Sequence, residues 1–192
     1  MYCVRSALKL PKSVCVRKAA EQHHDAHVRK MLLEYTQLLC TAFPEPVETA
    51  RWLTPAGWKK ATPDERIRAN TLPYSRTLGQ FNNACAVWTR ATRANFAFVL
   101  TLAEALVVEF EHRFGKEHGS RFAVEWLRRN AGAAPVPVGD MTPHVLRMPE
   151  QYRQADAVEA YRRYYAAEKR GYEQRGRWVE STWTRRPTPE WF

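Results

Sequence analysis

Between residues 24 and 42 the apolar and polar positions separate into two stripes. Val28, Met31, Leu32, Tyr35, Leu38, Leu39 and Ala42 recur at helical spacing and form a core-facing stripe. His27, Lys30, Glu34, Gln37 and Thr41 follow one another three and four residues apart and are polar throughout. By the 3.6-residue turn they lie about 120° around the helix from the first stripe. The pattern predicts a helix over 26–42, with Asp25 as its N-cap and Pro44 and Pro46 ending it. The polar stripe puts an acid or base (Glu34) beside an amine or cation (Lys30) and an imidazole (His27). Such a ridge is either the wall of a site or an ordinary solvated face.

The rest of the chain also reads as helical. Pro11 fits the first turn of a helix running to about Gln22, and residues 2–7 suit a short extended segment. Residues 44–80 hold Pro44, Pro46, Pro55, Pro63, Pro73, Gly57 and Gly79 and read as a long loop. A short helix at 64–69 is entered from Thr62-Pro63-Asp64. A helix at 84–91 carries Trp88 and Arg90. The strongest helix spans 93–115, where Phe96, Val99, Leu100, Ala103, Leu106, Val107, Phe110 and Phe114 are apolar. Phe98, Leu102 and Val108 widen that surface almost all round, which predicts a central, buried helix capped by Gly115 or Gly119. A helix at 120–130, a Pro/Gly/Ala-rich loop at 131–150 and an amphipathic helix at 155–173 with Val158, Tyr161, Tyr164, Tyr165 and Tyr172 complete the reading. The expected fold is all-α: one compact helical domain over 1–192, of about five to six helices with long Pro-rich loops.

Charge narrows the function classes. Lys and Arg number 30 against 20 Asp and Glu, a net charge of +10, and 12% of residues are aromatic. Excess cation with many aromatic rings suits a polyanion that also presents flat bases, so DNA is the expected partner. No run of 18 apolar residues exists, so no membrane contact is expected, and the start Met-Tyr-Cys-Val-Arg-Ser lacks a secretory h-region. Cys3, Cys15, Cys40 and Cys85 are scattered without a CxxC pair, which predicts reduced thiols in a cytoplasmic chain and no metal. No Walker loop, GxGxxG, HExxH or GxSxG occurs, and no cofactor is expected.

Further candidates lie on the second half of the chain. Asn95, Glu109, Arg113 and Lys116 share a strip of the 93–115 helix, with His118 just beyond it. Glu109 and Arg113 are an i,i+4 pair that either satisfies itself or walls a site in which Arg113 and Lys116 hold an anion. Asn82 and Asn83 precede the Trp88/Arg90 helix. An Asn amide can read a base edge and a Trp can stack on a base; equally, the Asn pair caps the helix and Trp88 is core. Arg90 and Arg93 flank Thr92 at a helix junction, a setting that suits phosphate or a solvated face. Glu168 sits in the tyrosine stripe as a partner for a hydroxyl.

The blocks Asp25-Ala-His-Val-Arg-Lys-Met-Leu-Leu-Glu-Tyr-Thr-Gln, Asn82-Asn83-Ala-Cys-Ala-Val-Trp88-Thr-Arg90, Asn95-Phe96 and Glu109-Phe-Glu-His-Arg113-Phe-Gly-Lys116-Glu-His118 resemble small phage-borne proteins. So do Tyr161-Arg-Arg-Tyr164-Tyr165 with Glu168-Lys169, and the terminal Pro189-Glu190-Trp191-Phe192. Through the Asp/Lys/Glu/Gln helix and the Asn-rich turn before Trp, that set distantly resembles the pyrimidine-dimer DNA glycosylases. The turn reads Asn82-Asn83-Ala84 here, against something closer to Asn-His-Pro in the set. The glycosylases also use an N-terminal α-amine freed by Met removal, whereas Tyr2 makes retention of Met1 the expectation.

The resemblance implies a DNA enzyme acting on a flipped, damaged or modified pyrimidine. In it Arg90, Arg93, Arg113 and Lys116 hold the backbone, Asn82 or Asn83 reads the base, and Trp88 or a tyrosine stacks on it. Asn95 and His118 belong to the same nucleic-acid-binding set. An amine of Met1 or Lys30 attacks the sugar and Glu34 moves the proton, with Asp25 and His27 beside them. Two alternatives stay open: a transferase that modifies thymine or hydroxymethylpyrimidine bases in phage DNA, and a non-catalytic DNA-binding or host-inhibiting protein.

Overall fold

The computed structural model describes residues 12–44, 60–68, 72–74 and 78–192. Met1, the extended segment expected at 2–7, and much of the Pro-rich stretch after Pro44 lie outside the described residues. The fold is mostly helical: α1 (Lys12–Gln22), α2 (Asp25–Cys40), α3 (Pro63–Arg68), α4 (Leu78–Phe81), α5 (Ala84–Ala91), α6 (Arg93–Phe114), α7 (Arg121–Asn130) and α8 (Ala157–Glu168). One antiparallel hairpin follows, β1 (Gly171–Gln174) with β2 (Arg177–Glu180).

α6 is the axis of the molecule and packs against α1, α2, α5 and α7. Thr92 starts it, its Oγ1 accepting from the Asn95 N–H at 3.1 Å. Gly115 ends it in the left-handed conformation at φ 64°, donating to the Glu111 carbonyl. Phe96, Val99, Leu102, Ala103 and Leu106 are essentially inaccessible, and each buried Val, Leu or Phe contributes roughly 1.5–3 kcal/mol by leaving water. The helix is not buried all round as its composition predicted: on its far side Val108 is 67% exposed. Thr92 also ends α5, and the two helices meet there at 113°. Among the described residues no single helix is long and apolar enough to cross a membrane.

Two boundaries differ from expectation for identifiable reasons. Asp25 opens α2 rather than capping it. His24, extended at φ −73° and ψ 163°, occupies the cap position without a side-chain bond. The Asp25 carboxylate is drawn instead to Thr182, Thr184 and Arg113. The last helix stops at Glu168 instead of running to 173. Tyr172 continues the tyrosine spacing by coincidence, but it belongs to β1. Arg175 and Gly176, at φ 52° and 75°, form the two-residue turn that the right-handed strand twist favours. Gly171 is required because a Cβ there would lie 2.5 Å from the Trp178 indole that covers it.

A buried ion cluster fastens the C-terminal segment to the helices. The Arg113 side chain is wholly inaccessible. Its Nη1 donates to Asp25 Oδ1 at 3.0 Å and to the His23 carbonyl at 2.8 Å, and its Nη2 donates to the Glu21 carbonyl at 2.8 Å. Nε donates to Glu109, which also accepts from Arg186 at 2.8 Å. Asp25 accepts from Thr182 Oγ1 at 2.9 Å and Thr184 Oγ1 at 2.7 Å. Burial alone would raise the Asp25 pKa, but the bonds from Thr184, Arg113 and Thr182 outweigh it and hold the carboxyl below its ordinary value. Two guanidinium groups and two carboxylates neutralise one another, so removing one partner leaves a buried charge unpaired. Asp25→Ala is expected to cost about 3–5 kcal/mol in urea unfolding. A loss below about 1 kcal/mol, the ordinary value of an exposed pair, would show that the cluster does not carry the fold.

Candidate functional site

The polar ridge of α2 forms one wall of a cavity of about 590 Å³. His27, Lys30, Glu34 and Gln37 line it, with Met31, Tyr35 and Leu38 from the adjoining face of the same helix. Tyr161, Tyr164 and Tyr165 of α8 line it, with Lys169 just past that helix. Gln80, Asn83, Cys85 and Arg147 complete the rim, and His23 comes from the corner between α1 and α2. Helical spacing explains the arrangement: on each helix, residues three and four apart share a face, so α2 offers polar groups and α8 offers phenol rings.

Charge in the cavity is cationic. Among the described residues, Lys30, Arg147 and Lys169 stand against the one carboxylate of Glu34. Lys30 Nζ lies 3.1 Å from Glu34 Oε1, both side chains being partly open to solvent. The imidazoles add no charge near neutrality. Burial pushes His23 down to about 3 and His24 to about 4. His27 falls to about 2, through burial and its neighbours His24, His23 and the lysines. The Cys85 thiol is pushed up by burial, which keeps it protonated and weakly nucleophilic. Burial likewise raises Tyr35, Tyr161 and Tyr165, so their hydroxyls keep their protons.

A relay of hydrogen bonds runs along the floor. The His24 backbone N–H donates to Tyr165 Oη at 3.1 Å, and Tyr165 Oη lies 2.9 Å from His27 Nδ1. The His24 and His27 rings stack with centroids 4.1 Å apart. His23 Nδ1 donates to the Ala19 carbonyl at 2.7 Å, which fixes its tautomer, since a carbonyl only accepts. The Tyr35 hydroxyl is buried and has no hydrogen-bond partner among the described residues.

Of the candidates drawn from sequence, Glu34, Lys30, His27 and Asn83 meet in this cavity. Asn83 also caps α5, its Oδ1 accepting from the Cys85 N–H at 2.8 Å. The others lie elsewhere. Asp25 and Arg113 saturate each other beneath the α1–α2 corner, and neither lines the cavity. Asn95 is buried and bonded to the Trp88 carbonyl and Thr142. Trp88 is core and donates to the Pro143 carbonyl at 2.8 Å. Arg93 holds the carbonyls of Ala131 and Ala134 at 2.7 and 2.9 Å. The Arg90 guanidinium lies over the Phe81 ring. His118 Nε2 bonds the Arg29 carbonyl, its Nδ1 accepts from the Ser120 N–H, and Asn82 and Lys116 are exposed. Glu168 accepts from Tyr152 at 2.6 Å. No group of His, Cys, Asp and Glu suited to a metal ion occurs among the described residues.

Sequence reasoning missed Arg147 and undervalued Lys169. Arg147 sits in irregular chain with no periodicity to mark it. The spacing of Tyr161, Tyr164 and Tyr165 was the available signal for the opposite wall. No family model, curated protein or solved structure matches the chain.

Neutral buried histidines make stability depend on pH in a definite direction. The unfolded chain binds protons on these imidazoles near pH 6.5, while the native state resists them to about pH 4, 3 and 2. Their contribution is therefore whole above about pH 6.5 and falls away as pH drops through the acid range, with up to three protons taken up on unfolding. The urea midpoint is expected to be clearly lower at a pH of about 4.5 than at about 7.5. A midpoint unchanged over that interval would contradict neutral histidines.

Proposed function

We propose that the protein binds DNA and acts on a pyrimidine base extruded into the cavity between α2 and α8, as an N-glycosylase with lyase chemistry. The observation that carries this reading is the convergence, among the described residues, of one carboxylate, three cations and four tyrosines on a cavity of about 590 Å³, a size typical of nucleotide-scale ligand sites. The net charge of +10 and the motif blocks resembling phage proteins support the same reading.

In this proposal a tyrosine of α8 stacks on the base, and Asn83 or Gln37 hydrogen-bonds its edge. Lys30 is the amine within reach of a base. DNA seated over the site excludes water, and the Lys30 ammonium passes its proton to Glu34, 3.1 Å away. The free amine attacks the sugar C1′, and the bond from C1′ to the base breaks. The departing base takes the electron pair and receives the proton from Glu34. The protonated adduct gives its extra proton through Glu34 to the ring oxygen O4′ as the C1′–O4′ bond breaks with its electron pair on O4′, and the nitrogen lone pair closes the Schiff base, which water hydrolyses or borohydride reduces. The α-amine of Met1 is the other nucleophile that the resemblance implies. Phosphates meet exposed cations, among them Arg170, Arg175 and Arg177 around the hairpin that carries the exposed Trp178. A transferase is the second reading, favoured by a cavity larger than one pyrimidine ring needs.

Intact mass spectrometry of DNA incubated with the protein tests the proposal. Duplexes and single strands carry thymine dimers, uracil, hydroxymethyluracil or hydroxymethylcytosine, each with and without borohydride. A lost base and a trapped adduct on the peptide holding Lys30 are expected. Glu34→Gln is expected to slow base loss by about 10²- to 10⁴-fold while leaving DNA binding intact. A base that gains mass when cell extract supplies a donor favours the transferase. Unchanged masses throughout, despite tight binding, would overturn the catalytic reading.

A further inference from the structure

Trp178 is 67% exposed, yet its ring is seated. The indole lies against Gly171, where a Cβ would fall 2.5 and 2.6 Å from Cε2 and Cζ2, so the absent side chain leaves the ring a place on the backbone. The hairpin beneath is fastened in turn. Strand alternation puts Tyr172 and Val179 on one face and Glu173 and Trp178 on the other. Tyr172 stacks toward His24 with ring centroids 6.4 Å apart. Ser181, just past β2, donates from Oγ to the Lys169 carbonyl at 2.6 Å and from its N–H to the Arg170 carbonyl at 2.8 Å. Lys169 lines the cavity, and Gly171 follows it within about 7 Å of chain. The indole therefore stands beside the cavity rim, held on one side and open on the other.

Charge sorts what this surface can take. Glu173 faces Trp178 directly across the ladder, and Glu180 lies two residues along the same face. Carboxylates beside the ring turn phosphate away from it and leave it to a flat, uncharged group. At the turn end, the side chains of Arg175 and Arg177 make no hydrogen bond or ion pair with another described residue and are exposed, so they are free to take phosphate. Flat neutral rings alternating with anionic links are the chemistry of a nucleic-acid strand.

We propose that Trp178 is a stacking platform for a base of a single DNA strand, that of the nucleotide next to the one in the cavity, with Arg175 and Arg177 on its phosphates. This rests on the reading of the protein as DNA-binding. An indole stacks on any base, so the contact adds affinity without fixing sequence. A ring already seated on Gly171 loses little freedom when the base arrives, which favours binding.

Fluorescence anisotropy with a labelled 15-mer of thymidine reads the affinity. The same strand built on abasic sugars keeps the phosphates and lacks every base. Trp178→Ala is expected to weaken the thymidine strand about 5- to 100-fold and to leave the abasic strand as it was. Trp178→Phe keeps a ring and is expected to retain most of the affinity. No phosphate contact is lost in Trp178→Ala, so the slope of log affinity against log salt is expected to stay the same. In Arg175→Ala and in Arg177→Ala it is expected to fall by about 0.7 each. In NMR spectra of the full chain, the Trp178 indole N–H signal, assigned by its loss in Trp178→Phe, is expected to move with the thymidine strand and not with the abasic one.

Unchanged thymidine affinity in Trp178→Ala overturns the proposal, as does an equal loss on the abasic strand. An indole signal that moves with oligolysine and ignores DNA also overturns it and assigns the ring and its carboxylates to a cationic peptide. Should Trp178→Ala lose its fold, the indole signal of the intact protein decides. None of these readouts needs turnover. A protein that leaves every DNA base in place yet binds the strand through Trp178 loses the glycosylase reading and keeps this one. One that releases bases while Trp178→Ala binds as before does the reverse.

Discussion

The buried guanidinium of Arg113 is the constraint on which the rest of the structure depends. A fully desolvated cation is tolerable only if every donor is used, and here each nitrogen is. Glu109 comes from the same helix, Asp25 from the start of α2, and the carbonyls of Glu21 and His23 from the corner between α1 and α2. Those carbonyls lie at a helix end, where they would otherwise lack partners. The cluster therefore sets where α1 stops and α2 starts relative to α6. Through Thr182, Thr184 and Arg186 it also fastens the segment after the hairpin to the same corner. Trp183 adds a bond to the Gln22 carbonyl, closing the α1 end from the other side.

That fastening shapes the cavity. With the segment after β2 pinned at Asp25, α8 and its tyrosines are held across from α2. Tyr165 bridges the gap, bonding to both His24 and His27. Trp191 and Phe192 pack on the same tyrosine with ring centroids 5.9 and 6.2 Å away. The floor is thus ordered by hydrogen bonds and rings, while the cations stand at its more open edge. The result is a neutral floor of imidazole and phenol rings beneath a cationic rim of Lys30, Arg147 and Lys169.

The sequence carried much of this in its periodicities. α2, α5, α6 and α7 follow from apolar spacing, because burial of a stripe dictates the period, and Asn83 and Gly115 cap α5 and α6 as their positions suggest, whereas Asp25 does not cap α2. The ridge from His27 to Gln37 was visible as a polar stripe, though spacing alone does not say what faces it. What stayed hidden were the long-range pairings. Arg113 reads either as the i,i+4 partner of Glu109 or as a residue holding an anion; it does pair with Glu109, but its burial also needs Asp25, far away in the chain, as a second charge partner. Arg93 and Trp88 are likewise committed to carbonyls of the 131–143 loop, and Asn95 to the Trp88 carbonyl and to Thr142, partners that no local spacing reveals. The hairpin was masked because Tyr172 extended a helical spacing, although Arg175-Gly176 carried the turn signal. Irregular chain such as that around Arg147 has no period from which its position could be read.

The central claim is that the α2/α8 cavity receives a base of DNA. The most direct measurement is photocrosslinking of an oligonucleotide with a single 5-iodo-2′-deoxyuridine, followed by peptide mapping. The account predicts adducts on the peptide holding Tyr161, Tyr164 and Tyr165. Crosslinks confined to the exposed surface, at Trp178 or Phe122 with none in the cavity, would contradict it.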